Sequence, residues 1–495
     1  VYMPLIPLDI PSGVYRNGTD LQSNGRWRDS NLIRWVDNTM RPMGGWRTRS
    51  NNAAAAPIRG MKTWIDNSNE RWIAGGSYDK LYIWNETGIR YDITPTSLTA
   101  GREDALSFTG FGGSFYGSYA YGLERPDNVR IQPATSWALD TWGEYLVGCT
   151  EDDGKLYEWT LTPSTPAAVI ANAPVDNRSL VVTEERFLFA LGAGGNPRKV
   201  QWCDREDNTL WTPAATNEAG DLELNTNGQI MAGIKVRGQT LILTSTDAHV
   251  ANYIGPPYVY GIERVGSSCG LASNKAVSVV DSGAFWMGAH AFYAYTGGRV
   301  QEIQSEVADY VFNDMNRGQI SKAFCVTNSN FGEIFWFYPS AASTENDRYV
   351  AFNYIENTWY IGTLARTSGV DAGAFRKPIW ADADDYKIYE HEVGFDYGSL
   401  SPFAETGPIM LGSGDTVASV TEMIPDEKTQ GEVNVTFKTR FYPNGTERDY
   451  GPYVMSNPTS LRFTGRQMRM RVSTVALGDW RVGVNRIDVV AGGRR

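Results

Sequence analysis

Three histidines, His249, His290 and His391, are the whole supply of imidazole in 495 residues. General acid–base or metal chemistry built on that side chain therefore has few places to occur. Cys149, Cys203, Cys269 and Cys325 are widely spaced, with none at finger or CxxC spacing. They are expected to be buried, reduced thiols of a protein made in a cytosol, not a disulfide framework. Among the carboxylates, Glu151-Asp152-Asp153-Gly154 has the composition of a solvated turn. Asp382, Asp384 and Asp385 lack the spacing and closing glutamate of a calcium loop. A glycosidase pair stays open in principle, because its two carboxylates can be far apart in the chain. No G-x-S-x-G elbow, P-loop, HExxH or GxGxxG before a helix occurs. The residues lead to the expectation that the chain is not an enzyme and has no catalytic, cofactor or metal site.

Arginine carries the other signal. Residues 1–50 hold seven Arg against four Asp, and residues 460–495 hold eight Arg against two Asp, with no Lys in either segment. The net charge of -11 thus divides into +3, +6 and -20 for the stretch between. Arg offers a planar fork suited to carboxylate or phosphate, so Arg462, Arg466, Arg469, Arg471, Arg481, Arg486, Arg494 and Arg495, with Arg26, Arg28 and Arg34, are the candidate partner-docking residues. A solvated or self-paired strand face and direct phosphate contact are the other readings of that row. An acidic body argues against wrapping nucleic acid, where affinity comes from neutralised phosphates.

These residues must be positioned by β structure. Hydrophobic residues make up 42% of the chain, ample for a core, and no apolar run nears the roughly 20 residues that span a bilayer. The opening lacks the basic start and apolar stretch of a secretory signal. Short β-branched and aromatic runs alternate with Gly/Asn/Asp/Pro clusters, the pattern of sandwiches, barrels and propellers. A strand–turn–strand unit recurs: 71–76 with 80–84, 144–149 with 155–159, 186–190 with 199–202, 239–243 with 250–253, 284–288 with 291–295, and 333–338 with 348–354. Unit spacing brackets the about 40–50 residues of a propeller blade. One small sheet cannot bury both faces, whereas radial stacking does and leaves only short edges. The predicted fold is all-β: a β-propeller of six or seven blades over 57–410, an extended N-terminal arm over 1–56, and a C-terminal β domain with a basic strand over 411–495. In that strand Met468, Met470 and Val472 alternate with Arg469 and Arg471, which puts apolar and basic rows on opposite faces. Asn444-Gly445 marks a hairpin. One short amphipathic helix, capped by Ser305, is expected over 305–315 and by default covers a blade edge.

The segments Ile6–Thr19, Asn31–Trp35, Arg41–Trp46, Phe335–Ser340, Asn357–Thr367 and Gly465–Arg471 resemble tail proteins of short-tailed bacteriophages, nearest to the tail nozzle (tail tubular protein B) class. The resemblance implies a virion protein made in the host cytoplasm and placed in the tail, with six propeller protomers around a channel. The ring would sit beneath the tail adaptor under the portal, with fibres or spikes nearby. It would retain packaged DNA and pass it during ejection without sequence-specific binding. A carbohydrate-binding or glycan-cleaving propeller and a head-completion or other minor virion protein are the alternatives.

Overall fold

The computed structural model describes residues 5–107, 131–411, 416–428 and 432–493. Seven four-stranded antiparallel sheets follow one another along the chain. Blades 1 to 6 occupy 61–92, 137–169, 179–223, 230–267, 277–303 and 324–363. Blade 7 takes three strands from 366–391 and its outermost strand, Trp46–Thr48, from the N-terminal arm. The innermost strand of each blade abuts that of the next, and Arg366–Val370 of blade 7 abuts Met61–Ile65 of blade 1. The fold is a closed seven-bladed β-propeller.

The six repeated units are the second and third strands of blades 1 to 6. Blade 7 has the same pair, Ile379–Asp382 and Ile388–His391, around a turn at Asp384 and Asp385. The strand-end aromatics fill the wedges between blades. Trp84 packs with Ile379, Ala381 and Ile388 of blade 7. Trp159 meets Trp64 and Trp72 of blade 1 at ring-centroid distances of 6.4 and 5.4 Å. Trp202 and Phe189 sit against Tyr260 of blade 4, at 5.5 and 4.8 Å. Such edge-on pairs add to burial of the ring area. The glycines of the repeat have a packing cause: a Cβ on Gly76 would collide with the indole of Trp137, whose Nε1 donates to the Ser77 carbonyl at 2.8 Å.

A second β unit stands beside the ring. One sheet orders Ile6–Leu8, Asn485–Ala491, Ala418–Ile424 and Thr459–Gly465; the other contains Trp27–Asn31, Phe403–Thr406, Gln467–Thr474, Val433–Arg440 and Arg448–Val454, with Ile409–Met410 on Gln467–Thr474. Val433–Arg440 alternates buried with half-buried positions up to Thr439 and Thr459–Gly465 alternates buried with exposed ones, and Phe437 meets Phe463 between the sheets at 4.8 Å. The hairpin expected at Asn444-Gly445 joins Val433–Arg440 to Arg448–Val454. The arm thus supplies strands to both sheets of this unit and to blade 7.

The helix is shorter than expected, Ala308–Asp314, and Val307 occupies its cap position without a side-chain bond. Ser305 falls short of that position; its hydroxyl instead accepts from the Val307 amide at 3.3 Å. Of the expected apolar face, Val307, Val311 and Met315 are buried and Tyr310 is half-buried. The arm docks here, with the Arg16 and Asn17 amides donating to the Glu306 carbonyl at 2.8 and 3.1 Å.

Candidate functional site

The inner strand of blade 4 is entered through Thr226, and its third strand opens with Asp247. That strand then places His249 on the same side, because side chains two residues apart share a face. Together with Arg264 on the fourth strand and the Ala289–Tyr293 turn of blade 5, these elements border a polar crevice of about 520 Å³. Asp247 Oδ1 accepts from Thr226 Oγ1 at 2.8 Å and from Thr244 Oγ1. Burial works to raise this carboxyl, but the two hydroxyls and His249 hold it below the usual carboxylate range. His249 Nε2 lies 3.2 Å from Asp247 Oδ1. Burial outweighs that attraction and pulls the imidazole down, so it is neutral near pH 7. His290 and Tyr293 line the opposite wall; Tyr293 donates to the Ser268 carbonyl at 3.1 Å.

One histidine, His290, therefore lines the crevice, and a second, His249, is buried behind the Asp247 carboxylate in its wall. An ionised carboxylate fixed by hydroxyls, a neutral imidazole behind it, and Arg264 and Tyr293 alongside suit a hydroxylated or anionic small ligand. Sequence reasoning missed this cluster. The Asp247-x-His249 spacing in a strand was its visible signal, but the His290–Tyr293 half comes from the next blade.

His391 is elsewhere, buried in blade 7, where its Nε2 accepts from Arg366 Nε at 3.1 Å. The acidic clusters are turns tied to cations. Glu151 pairs with Arg178 at 2.5 Å, Asp152 with Arg102, and Asp153 with Lys155 at 2.9 Å. Asp382 accepts from the Asp384 and Asp385 amides and pairs with Arg366. Among the described residues no group of three or more His, Cys, Asp or Glu is arranged to hold a metal ion. All four cysteines are buried and free of disulfides.

The candidate docking arginines are dispersed. Arg34 is interior, bonded by Nε to Glu333 Oε1 at 2.8 Å and paired with Glu392. Arg26 pairs with Glu306 at 2.6 Å and Arg28 with Asp20 at 3.2 Å. Arg469 bridges Asp20 and Glu447 at 2.7 and 2.8 Å, Arg471 reaches Glu405 at 3.2 Å, and Arg481 reaches Asp479 at 3.1 Å. Arg466 lies over the Tyr442 ring at 5.0 Å. Arg462 and Arg486 are exposed on the four-stranded sheet, and neither has an ion pair among the described residues. Arg494 and Arg495 lie outside the described residues.

The sequence matches no family model and no curated protein. Similar solved structures include virginiamycin B lyase from Staphylococcus aureus, at 8% identity over 70% of this chain and 99% of that one, TM-score 0.44. The β-propeller domain of Cps50 (Swd1) from Myceliophteria thermophila matches at 9% identity over 70% of this chain and 100% of that one, TM-score 0.37. PorZ, a surface component of the type-IX secretion system of Porphyromonas gingivalis, matches at 9% over 76% of this chain and 44% of that one, TM-score 0.36. The expectation that the chain is not an enzyme is withdrawn. A lyase stands among the structures it is similar to, and Asp247 in the crevice wall pairs with the buried His249 behind it, which the sequence reading did not assemble. At this identity the likeness is one of fold and brings no active site to this chain.

Proposed function

We propose that this chain is a structural subunit of a bacteriophage tail: the nozzle or hub protein that, as a homohexameric ring below the tail adaptor, retains packaged DNA and forms the conduit for its ejection. The observation that carries this reading is where the phage-like residues fall. Ile6–Leu8 pairs with Asn485–Ala491, Trp46 begins the strand that completes blade 7, and Gln467–Thr474 lies central in the platform sheet. The Val14 amide donates to the Trp359 carbonyl at 2.6 Å. The residues behind the resemblance are thus those that stitch arm, propeller and platform into one body, as a load-carrying ring subunit requires. The charge division supports the same reading. DNA presents one negative charge per about 1.7 Å of axis, so an acidic wall lets it slide where a basic wall would grip. Docking to an acidic adaptor falls to Arg462 and Arg486, whose guanidinium groups have no ion pair among the described residues.

Immunogold electron microscopy of virions from the source lysate, with antibody to this chain, tests the proposal. Label at the distal tail tip is the expected result, and absence of labelled particles overturns it. The Asp247–His249 crevice favours a second reading, a carbohydrate-binding or glycan-cleaving propeller on the tail or elsewhere. A glycan array separates the two: saturable binding abolished by Asp247→Asn supports the second, and no binding removes it.

A further inference from the structure

We propose that the channel of the propeller is a binding site for a small oxyanion, held among Lys62, Lys235 and Lys275. The channel contains a cavity of about 300 Å³ lined by the innermost strands of blades 1 to 5. Its ionisable side chains are these three lysines and one carboxylate, Asp140, so the lining carries an excess of positive charge. Asp140 is already committed. Its Oδ1 accepts from Lys62 Nζ at 2.8 Å, while its Oδ2 accepts from the Val182 amide at 3.0 Å and lies 3.5 Å from Lys235 Nζ. The Val182 amide is an inner-edge donor that would otherwise be unpaired. Lys275 has no carboxylate partner among the described residues.

The cavity is closed where the inner strands begin. Asn274 Nδ2 donates to Ser136 Oγ at 2.7 Å, joining blades 5 and 2, which are not neighbours in the ring. Two described residues ahead of blade 2 are bonded to the turn before blade 6 at the same end: the Ala105 amide donates to Gln319 Oε1 and the Ala134 amide to Ser321 Oγ, each at 3.0 Å. The result is a cup with a cationic wall, of a size for phosphate or a small phosphorylated or carboxylated molecule. The groups that face Lys275 are Lys62, Asp140 and the Cys149 thiol. Burial, joined by repulsion from Lys62, draws Lys275 down to about 8. A bound oxyanion would supply the missing counter-charge and raise it again.

Calorimetric titration of the full chain with inorganic phosphate tests the site. Near pH 7 one phosphate is expected to bind per chain, and Lys275→Met to weaken it about tenfold or more. Near pH 8.5 binding is expected to take up protons, read as heats that vary with the ionisation enthalpy of the buffer. Lys275→Met removes an unfavourable buried charge, so its unfolding midpoint should match or exceed that of the parent, which excludes misfolding as the cause. Unsaturable heats, phosphate binding unchanged by Lys275→Met, or buffer-independent heats near pH 8.5 would each overturn the assignment.

Discussion

Trp46 of the N-terminal arm and His391 of blade 7 are register partners across the seam that closes the propeller, their ring centroids 5.5 Å apart. The seam is fastened from several sides. Arg366 lies over the Trp46 ring at 5.0 Å and donates to His391, which itself stacks on Trp380 at 4.0 Å. A ring has no free ends only while this strand is in place. Trp46→Ala removes a large part-buried side chain from the closure and is expected to lower stability by about 2–3 kcal/mol. Equilibrium unfolding in urea, followed by the intrinsic fluorescence of the remaining tryptophans, measures it.

The same seam predicts an acid-sensitive fold. Burial, and then repulsion from Arg366, holds the His391 imidazole well below its ordinary value. The native state therefore refuses a proton that the unfolded chain accepts. Stability from this group is fully present above about pH 6.5 and declines as pH falls below it, by up to about 1.4 kcal/mol per pH unit per proton. His249 is depressed in the same sense. Urea midpoints between about pH 6.5 and 5 should fall, with a shallower slope for His391→Gln, which keeps an acceptor for Arg366 but does not titrate. Parallel slopes would remove His391 from the account.

The seam also shows which parts of the molecule the sequence revealed. Six blades were legible because their second and third strands are adjacent in the chain and repeat a strand, a turn and an aromatic. Blade 7 has the same pair at Ile379–Asp382 and Ile388–His391, but its aspartates were weighed only against a calcium loop and not as the turn of a blade. Its last strand lies more than three hundred residues away, where no periodicity can mark it. The arginines failed for a related reason. Alternation placed Arg469 and Arg471 on one face correctly, yet a strand pattern does not say which distant carboxylate covers that face, and Asp20 and Glu405 do. The crevice joins two blades, so only the Asp247–His249 half had any local signature.

Arg34 anchors the arm beneath blades 6 and 7. Its guanidinium bonds Glu333 at 2.8 and 2.9 Å, pairs with Glu392, and lies over the Phe331 ring at 3.6 Å. Burial raises the Glu333 carboxyl, whereas at Glu392 burial works upward but the Arg34 charge together with hydrogen bonds from Arg34, Gly44 and Asn328 prevails and lowers it. Arg34→Met strands two carboxylates in the interior and is expected to cost about 3–5 kcal/mol. Adding Glu333→Gln should recover part of that loss, since one of the stranded charges is removed. Urea unfolding of both variants checks the order; a double variant less stable than Arg34→Met would contradict it.

Lys275 supplies a pH signature of the same sign in an alkaline window. Its ammonium is disfavoured in the folded state, so the native chain releases its proton near pH 8 while the unfolded chain keeps it to about 10.5. Stability should therefore rise with pH across that window as the penalty is relieved. Lys275→Met should be more stable than the parent near pH 7, and the advantage should shrink as pH rises towards 10.5. Differential urea unfolding of the pair isolates this term from other groups that titrate there.

Asp20 draws the two ends of the chain together. It accepts from Arg440 Nη2 at 2.8 Å and from Arg469 Nη2 at 2.7 Å, and pairs with Arg28 at 3.2 Å. Burial works to raise this carboxyl, but hydrogen bonds and charge from Arg440 and Arg469 prevail and hold it below the ordinary value. Its contribution is fully present above about pH 3.8 and is lost as pH falls through the lower folded value. Asp20→Asn leaves Arg440 and Arg469 crowded, with Glu447 as the one carboxylate they share among the described residues. A cost of about 1–3 kcal/mol is expected, concentrated in detachment of the arm rather than in opening of the propeller. Limited trypsin digestion reads this directly: cleavage at Arg16, Arg26 and Arg28 should accelerate in Asp20→Asn while the propeller fragment stays intact. Equal acceleration at sites within the blades would show that the arm and the ring unfold as one unit.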